Sequence, residues 1–474
     1  MQDKIKNNDM NEQEAGVMET VAFDDEDIKN WVSPSSCEDM EEADEEAERR
    51  IAMFGTEESV LRAEEWVAHV PDTICNNPDF FGPIFGIIRE ETNSIYIFDY
   101  KRFEDDEHLI GYVDNGSYFS EKYVEQVDSP FAFTRSYKVV GDNKSGKLEL
   151  KMHKPARKEL STISEGPPRR RRFFMDDEFE EQPVRIKQYD SVTKLFSRNS
   201  GLLESSYMLD KCAVLVGCGS VNSFVAMELA RSGVGKFVLC DTDTLEIHNI
   251  CRHQCGFEDL GRYKVDAVKD KILNINPAAE VVTFRSIIQR VPEDDIMPML
   301  GENTVIIGGG DNRASSAFAN KLAVKSGSKF VAIGCWTRAF AGEVFYWRPN
   351  RNMACYGCAF GGLIDDERPD SHRTYFGSDD EMKEVSFEPG MYVDIDFVSI
   401  IGLKLILDLF NEKNENYTPR VINYLRQYTW ICNTNDERVG GKRALMFKRP
   451  LQVTNNLVVK KNSECEWCNC EDRI

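Results

Sequence analysis

The chain has 474 residues, room for two or three ordinary domains with a sizeable core, and an apolar content ordinary for a globular protein. Its 58 basic and 81 acidic residues leave a formal net charge of −23, a balance that repels nucleic acid and anionic membranes and argues against either as a partner. No apolar run reaches the roughly 18 residues of a membrane span. The N-terminus MQDKIKNNDMNEQEAG lacks the hydrophobic region of an export signal, so the cytoplasm is the expected location.

Residues 1–50 are acidic, with the extreme at Glu38–Glu48 (EDMEEADEEAE), and read as disordered chain rather than a solvated helix. Residues 51–160 read as an α+β accessory domain. Ile51, Phe54, Val60 and Leu61 recur at loose helical spacing over 51–70. The segments PIFGIIRE, SIYIFDYKRF and FAFTRSYKVV are rich in β-branched and aromatic residues, with a turn signal at Asp114-Asn115-Gly116. No chemical signature falls there. Residues 161–190 read as a linker: Gly166-Pro167-Pro168, then Arg169–Arg172, then the acidic Asp176–Glu181.

Regular alternation begins after 191. Ala213–Val216 is an apolar strand, Gly217-Cys218-Gly219-Ser220 a turn, Val221–Ser232 a helix and Lys236–Cys240 a second strand. Further strands are expected at Val281–Phe284, Thr304–Ile307 and Phe330–Gly334, separated by helical stretches. This predicts an α/β fold, a doubly wound and mainly parallel sheet, over 191–440. With no export signal, the 14 cysteines are expected to be reduced; most, such as Cys212, Cys218 and Cys240, sit in apolar runs as small buried hydrophobes.

Gly217-x-Gly219 after a strand and before a helix lets backbone N–H groups approach a phosphate at the helix N-terminus. Asp241 closes the next strand about 20 residues on, where an acid can hold a ribose hydroxyl. A NAD dehydrogenase would look the same this far, but Asn222 stands at the third glycine of that fingerprint. A phosphate-bearing ligand would need cations and donors, and a metal ligand if it carries Mg²⁺: Arg252 and Lys264 could supply fixed positive charge, Asn249 donors, and Asp311 at a strand end a carboxylate suited to Mg²⁺.

The run from Asp241 through Asp243, Asn249 and Arg252 to Gln254 resembles the DxDxxxxxNxxRQ signature of ThiF/MoeB proteins and the ubiquitin-activating enzyme superfamily. Gly261-Arg262-Tyr263-Lys264 is similar to that family's G-x-x-K, and Asn276-Pro277 follows one helix later. Gly309-Gly310-Asp311-Asn312-Arg313 shares only the Asp-Asn core of D-N-x-x-x-R, because Arg313 sits early. The resemblance covers roughly residues 195–410. In having an added N-terminal region, the whole chain resembles ThiF-like activating enzymes of bacterial ubiquitination-like operons.

That resemblance implies a Rossmann-like adenylation domain that binds ATP through Gly217, Gly219, Asp241, Asp243, Asn249, Arg252 and Lys264. Asp241 and Asp243 would lie nearest the ribose, and Asp311 would hold Mg²⁺. Arg198, in Ser197-Arg198-Asn199, matches an arginine that reaches the γ-phosphate across a homodimer. Cys355-x-x-Cys358 and Cys465-x-x-Cys468 supply four thiolates, a set that suits a closed, structural Zn²⁺. The same long separation in ThiF/MoeB relatives implies that zinc ties the C-terminal segment, 441–474, to the nucleotide domain.

The family's S-C-x-E-x-G pattern, carried by a crossover loop near 365–395, aligns with Ser386 where the acyl-accepting cysteine belongs. Ser386 is then a nucleophile giving an oxyester, or the enzyme stops at the adenylate, or the serine replaces a natural cysteine. Glu388, Asp394 and His372 are the nearest bases in sequence. The expected activity is adenylation of the C-terminal carboxylate of a ubiquitin-like protein, followed by transfer toward a conjugating enzyme. The alternatives are sulfur-carrier activation without a covalent intermediate and a non-catalytic scaffold.

Overall fold

The computed structural model describes residues 65–114, 139–155, 179–190, 194–309, 313–361, 389–465 and 468. The acidic segment 1–50, most of the helix expected over 51–70, Arg169–Arg172, Asp311 and the crossover residues His372, Ser386 and Glu388 lie outside the described residues.

Seven N-terminal strands form a closed barrel: β1 (Trp66–Pro71), β2 (Gly82–Arg89), β3 (Ser94–Phe98), β4 (Leu109–Asp114), β5 (Val139–Asp142), β6 (Glu149–Pro155) and β7 (Phe179–Tyr189). Their order is β1-β3-β2-β4-β5-β6-β7. Trp66, Ile84, Ile95, Ile97 and Met152 fill the interior. The expected α+β character reduces, among the described residues of this unit, to one four-residue α-helix, Asp72–Cys75, and short 3₁₀ turns. Strand β7 takes the last third of the stretch read as linker. Its Gln182, Val184 and Ile186 turn inward while Glu181, Pro183, Arg185 and Lys187 stay exposed. That period-2 signal is masked in the sequence by the charges on its outer face. Gln182 is held inside as the acceptor of the Trp66 Nε1–H at 3.0 Å.

The larger sheet has eight strands: β8 (Cys212–Val216), β9 (Lys236–Cys240), β10 (Glu280–Phe284), β11 (Thr304–Gly308), β12 (Lys329–Cys335), β13 (Ala341–Trp347), β14 (Tyr428–Cys432) and β15 (Gln452–Leu457). The order is β10-β9-β8-β11-β12-β13-β14-β15. The first five are parallel and the last three antiparallel. The five strands expected from 213 to 334 are all present. Strand β15 belongs to the segment 441–474, so the same sheet runs on past residue 440.

Helices α1 (Ser220–Arg231), α2 (Lys264–Ile275), α3 (Arg313–Ser326), α4 (Tyr356–Phe360) and α5 (Tyr392–Phe410) cover both faces. Leu215, Leu239 and Ile333 face one way, against Val225 and Leu229 of α1, Ile272 of α2 and Leu405 of α5. Val214, Val238 and Phe330 face the other, against Leu322 of α3 and Tyr356 of α4. Burial on both faces is why the central strands read as continuous apolar runs. Helix α5 lies close on β12: a Cβ on Gly402 would stand 2.3 Å from Ile333 Cδ1. Among the described residues no helix is long and apolar enough to cross a membrane.

Candidate functional site

Strand β8 is where the parallel order reverses, with β9 on one side and β11 on the other. Such a switch point opens a crevice at the carboxyl ends of the strands. Gly217 leaves β8 with φ +82°, a conformation that costs a side-chain-bearing residue about 1 kcal/mol or more, and its N–H donates to Cys240 O at 2.8 Å. Gly219 caps α1, and a Cβ there would meet nothing within 4 Å. The start of α1, with its outward N–H groups, therefore faces open space.

Asn222, in the third-glycine position, is fully buried. Its Nδ2 donates to Gly217 O at 2.8 Å and Val216 O at 3.1 Å, tying α1 to the end of β8. Asp241 lies beneath the turn: Oδ2 accepts the Cys218 N–H at 2.6 Å and Oδ1 the Asp243 N–H at 2.8 Å. Its first partners are thus backbone amides, while each oxygen keeps a second lone pair.

Lys264 opens α2 with its side chain almost enclosed. Its Nζ is 2.9 Å from Asp243 Oδ2, and its N–H donates to Asp243 O at 2.9 Å. Asn249 Oδ1 accepts the Glu246 N–H at 2.9 Å and caps the helical turn Ile247–Arg252. Thr242, Asp243, Glu246, Asn249, Tyr263 and Lys264 line a cleft of ≈ 440 Å³. Arg252 ends that turn, its Nη1 3.8 Å from the place a Cβ would take on Gly390. Arg252 thus borders the point where the chain returns from the crossover segment to α5.

Two contacts here were not anticipated. His253 is buried; its Nδ1 accepts the Cys255 N–H at 3.0 Å, so Nε2 carries the proton and donates to Cys218 O at 2.7 Å. Burial holds its pKa below the ordinary 6.5. The ring follows Arg252 directly in the motif, the one signal that pointed to it. Gln254 donates to Tyr392 on the first turn of α5. One turn on, burial pushes the Asp396 carboxyl up to about 6, against a hydrogen bond from Tyr392 that lowers it. The same cause pushes the Cys240 and Cys255 thiols up to about 12, so they are neutral.

Arg198 does not line the cleft of its own chain. It is exposed and borders a separate hollow of ≈ 220 Å³ with Leu195, Phe196, Asn199, Arg231 and Ile275. Arg313, the early arginine, is paired with Glu343 at 2.8 Å and stacks over the Phe360 ring. Glu343 also accepts from Trp336 and Tyr428. The structure therefore gathers Asp243, Asn249 and Lys264 in one cleft, connects it through Asp241 to the Gly217–Gly219 turn, sets Arg252 at the end of the turn that Asn249 caps, and leaves Arg198 elsewhere.

Cys355, Cys358, Cys465 and Cys468 converge with all four sulfurs within 4.8 Å of one another. The Cys355–Cys465, Cys355–Cys358 and Cys358–Cys468 distances are 3.5, 3.6 and 3.7 Å. Zn–S bonds of about 2.3 Å in a tetrahedron place sulfurs about 3.8 Å apart, so the set fits a closed Cys₄ metal site. Asn462 N–H donates to Cys358 Sγ at 3.4 Å, as an outer-shell partner would.

Residues 203–424 match the model of the ThiF family. The chain is 27% identical over 157 residues to ubiquitin-like modifier-activating enzyme 5 of Caenorhabditis briggsae, covering 31% of this chain and 36% of that protein. It is 37% identical over 94 residues to the tRNA threonylcarbamoyladenosine dehydratase of Bacillus subtilis, covering 19% and 37%. It is 25% identical over 166 residues to the sulfur carrier protein ThiS adenylyltransferase of Escherichia coli, covering 34% and 62%. The chain thus spans less than two thirds of the length of each of these relatives. Among solved structures, E. coli MccB crystallised with ATP is similar at a TM-score of 0.40 and 16% identity, over 56% of this chain and 68% of that one.

Proposed function

Because residues 203–424 match the model of the ThiF family, we propose that the chain adenylates the C-terminal carboxylate of a ubiquitin-like protein with Mg²⁺ and ATP. The observation that carries this reading is the cleft beside the Gly217–Gly219 turn, where Lys264, Asn249 and Asp243 meet. The triphosphate would lie against the open N-terminus of α1. A carboxylate oxygen of the partner attacks the α-phosphorus, the bond to the β-phosphate bridging oxygen breaks, and pyrophosphate leaves. Lys264 and Arg252 stabilise the charge that gathers on the leaving group. Asp243 and the spare lone pairs of Asp241 face the ribose.

Gly308 pairs in register with Val216, which puts the chain after β11 beside the turn. Asp311, three residues after Gly308 in the sequence, would hold Mg²⁺, which would supply charge neutralisation on the phosphates. Arg198 would act on the γ-phosphate of a partner subunit, a role that suits its absence from its own cleft. Zn²⁺ in the Cys₄ set would fasten the segment after β15 to α4.

In the second step Ser386 Oγ attacks the acyl carbon, the acyl–AMP bond breaks, AMP leaves and the hydroxyl proton passes to a base. Of the candidate bases, Asp394 is described, and burial raises its carboxyl above the usual range, the direction a base needs. The acyl group then passes to a conjugating enzyme.

Exchange of labelled pyrophosphate into ATP tests the first step. It should require a carboxylate-bearing partner, and absence of exchange with every ubiquitin-like or sulfur-carrier protein supplied would leave a scaffold. The second step predicts a covalent adduct that survives thiol reductant and is absent from Ser386→Ala. Exchange with no adduct would favour sulfur-carrier activation, which the missing cysteine at 386 also suits. An adduct lost to reductant would point to a cysteine such as Cys335 or Cys470.

A further inference from the structure

Residues 441–461 reverse the charge of the molecule. In a chain of net charge −23 this stretch has six cations and no acid: Lys442, Arg443, Lys448, Arg449, Lys460 and Lys461, all exposed. Strand β15 lies inside it. One edge of β15 pairs with β14, through Trp430↔Thr454 and Ile431↔Val453. Strand β15 ends the sheet order, so its outer edge meets no strand among the described residues. Charged residues or proline within an edge strand are the usual protection against further pairing. Here the strand is QVTNNL, with neither. The cations instead bracket it, four before and two after, with Lys448, Arg449, Lys460 and Lys461 the nearest; Val453 is exposed within the strand, and Leu451 and Val458 are exposed at its two ends.

We propose that the outer edge of β15 is a docking strip for an acidic, extended segment of another protein, which adds a ninth strand to the sheet. The outer edge, which meets no strand among the described residues, offers backbone donors and acceptors that an extended peptide can pair along its length. Val453, with Leu451 and Val458 at the ends of the strand, offers apolar contact to the incoming segment, and Lys448, Arg449, Lys460 and Lys461 take its acids. A nucleic acid or a membrane would meet the cations but could not use the edge, and the remainder of the surface repels both. This inference does not depend on the adenylation chemistry.

The test uses the full chain and a short fluorescent peptide alternating Glu with Val, followed by anisotropy. Binding should be saturable and weaken with salt. It should fall by about tenfold or more when Lys448, Arg449, Lys460 and Lys461 are all changed to Glu. The same fall is expected when alternate amides of the peptide are N-methylated, which keeps its charge and removes its pairing. If the fourfold variant does not melt cooperatively, K460Q with K461Q should still weaken binding. Equal affinity for the N-methylated peptide, equal affinity for heparin or anionic vesicles, or no saturable binding would overturn the proposal. So would a dimer that forms through β15 and excludes the peptide.

Discussion

Lys264 and His253 show how few side chains the candidate cleft needs. Lys264 is nearly enclosed and has one carboxylate, Asp243, whose own side chain is 63% exposed. A buried cation with an open partner is ready to receive an anion. Lys264→Ala should lower pyrophosphate exchange by about a hundredfold or more while leaving the melting temperature near that of the parent. His253 acts through the main chain. It works only as the neutral ring, because a proton on Nδ1 would remove the acceptor of the Cys255 N–H. Its pKa in the fold lies below 6.5, so its contribution is complete above 6.5 and is lost as pH falls toward and through the folded value. A plot of melting temperature against pH should drop on the acid side of 6.5, and His253→Gln, which keeps a donor for Cys218 O, should flatten that limb.

At the scale of elements, helix α5 carries two checks. Gly402 allows the helix to approach β12, and Gly402→Ala would push a methyl into Ile333. Overpacking of this kind costs about 1–3 kcal/mol, to be read from urea unfolding. Asp396 is opposite in sign to His253. Its carboxyl is raised from 3.8 to about 6, so the fold favours the protonated form and loses stability as pH climbs through that window. Asp396→Asn should therefore raise the melting temperature above pH 6 and change it little below 3.8. Strands β8, β9, β11 and β12 were legible in the sequence because burial on both faces leaves apolar runs such as CAVLV, and the edge strand β10 because EVVTF is rich in β-branched residues. Strands β7 and β15 were not: one carries charges on its outer face, the other is short and polar. The cleft was legible at Asp243, Asn249 and Lys264, where polar types recur at fixed spacing. The parts played by Asn222 and His253 were not, since both bind main-chain carbonyls that only the folded turn brings near.

Over the whole molecule, the eight-stranded sheet joins a parallel half that forms the cleft to an antiparallel half closed by the four cysteines. Removing the metal with a chelator should lower the melting temperature and expose the segment after β15 to protease, while Cys465→Ser should do the same with no chelator. If neither moves the melting temperature, the Cys₄ set holds no structural ion. The spacing of those cysteines also carries a consequence for biosynthesis. Cys355 and Cys358 leave the ribosome with α4, well before Cys465 is made, so for that interval a zinc ion would have only half its ligands. An ion held by two thiolates is exchangeable with any competing thiol, and closing so long a loop around it is entropically costly. Capture of a metal by this set would then be a late event in the life of the nascent chain. Cells short of zinc should accumulate protein with a finished parallel half and an unsealed final strand, an intermediate that pulsed alkylation of Cys465 and Cys468 would reveal.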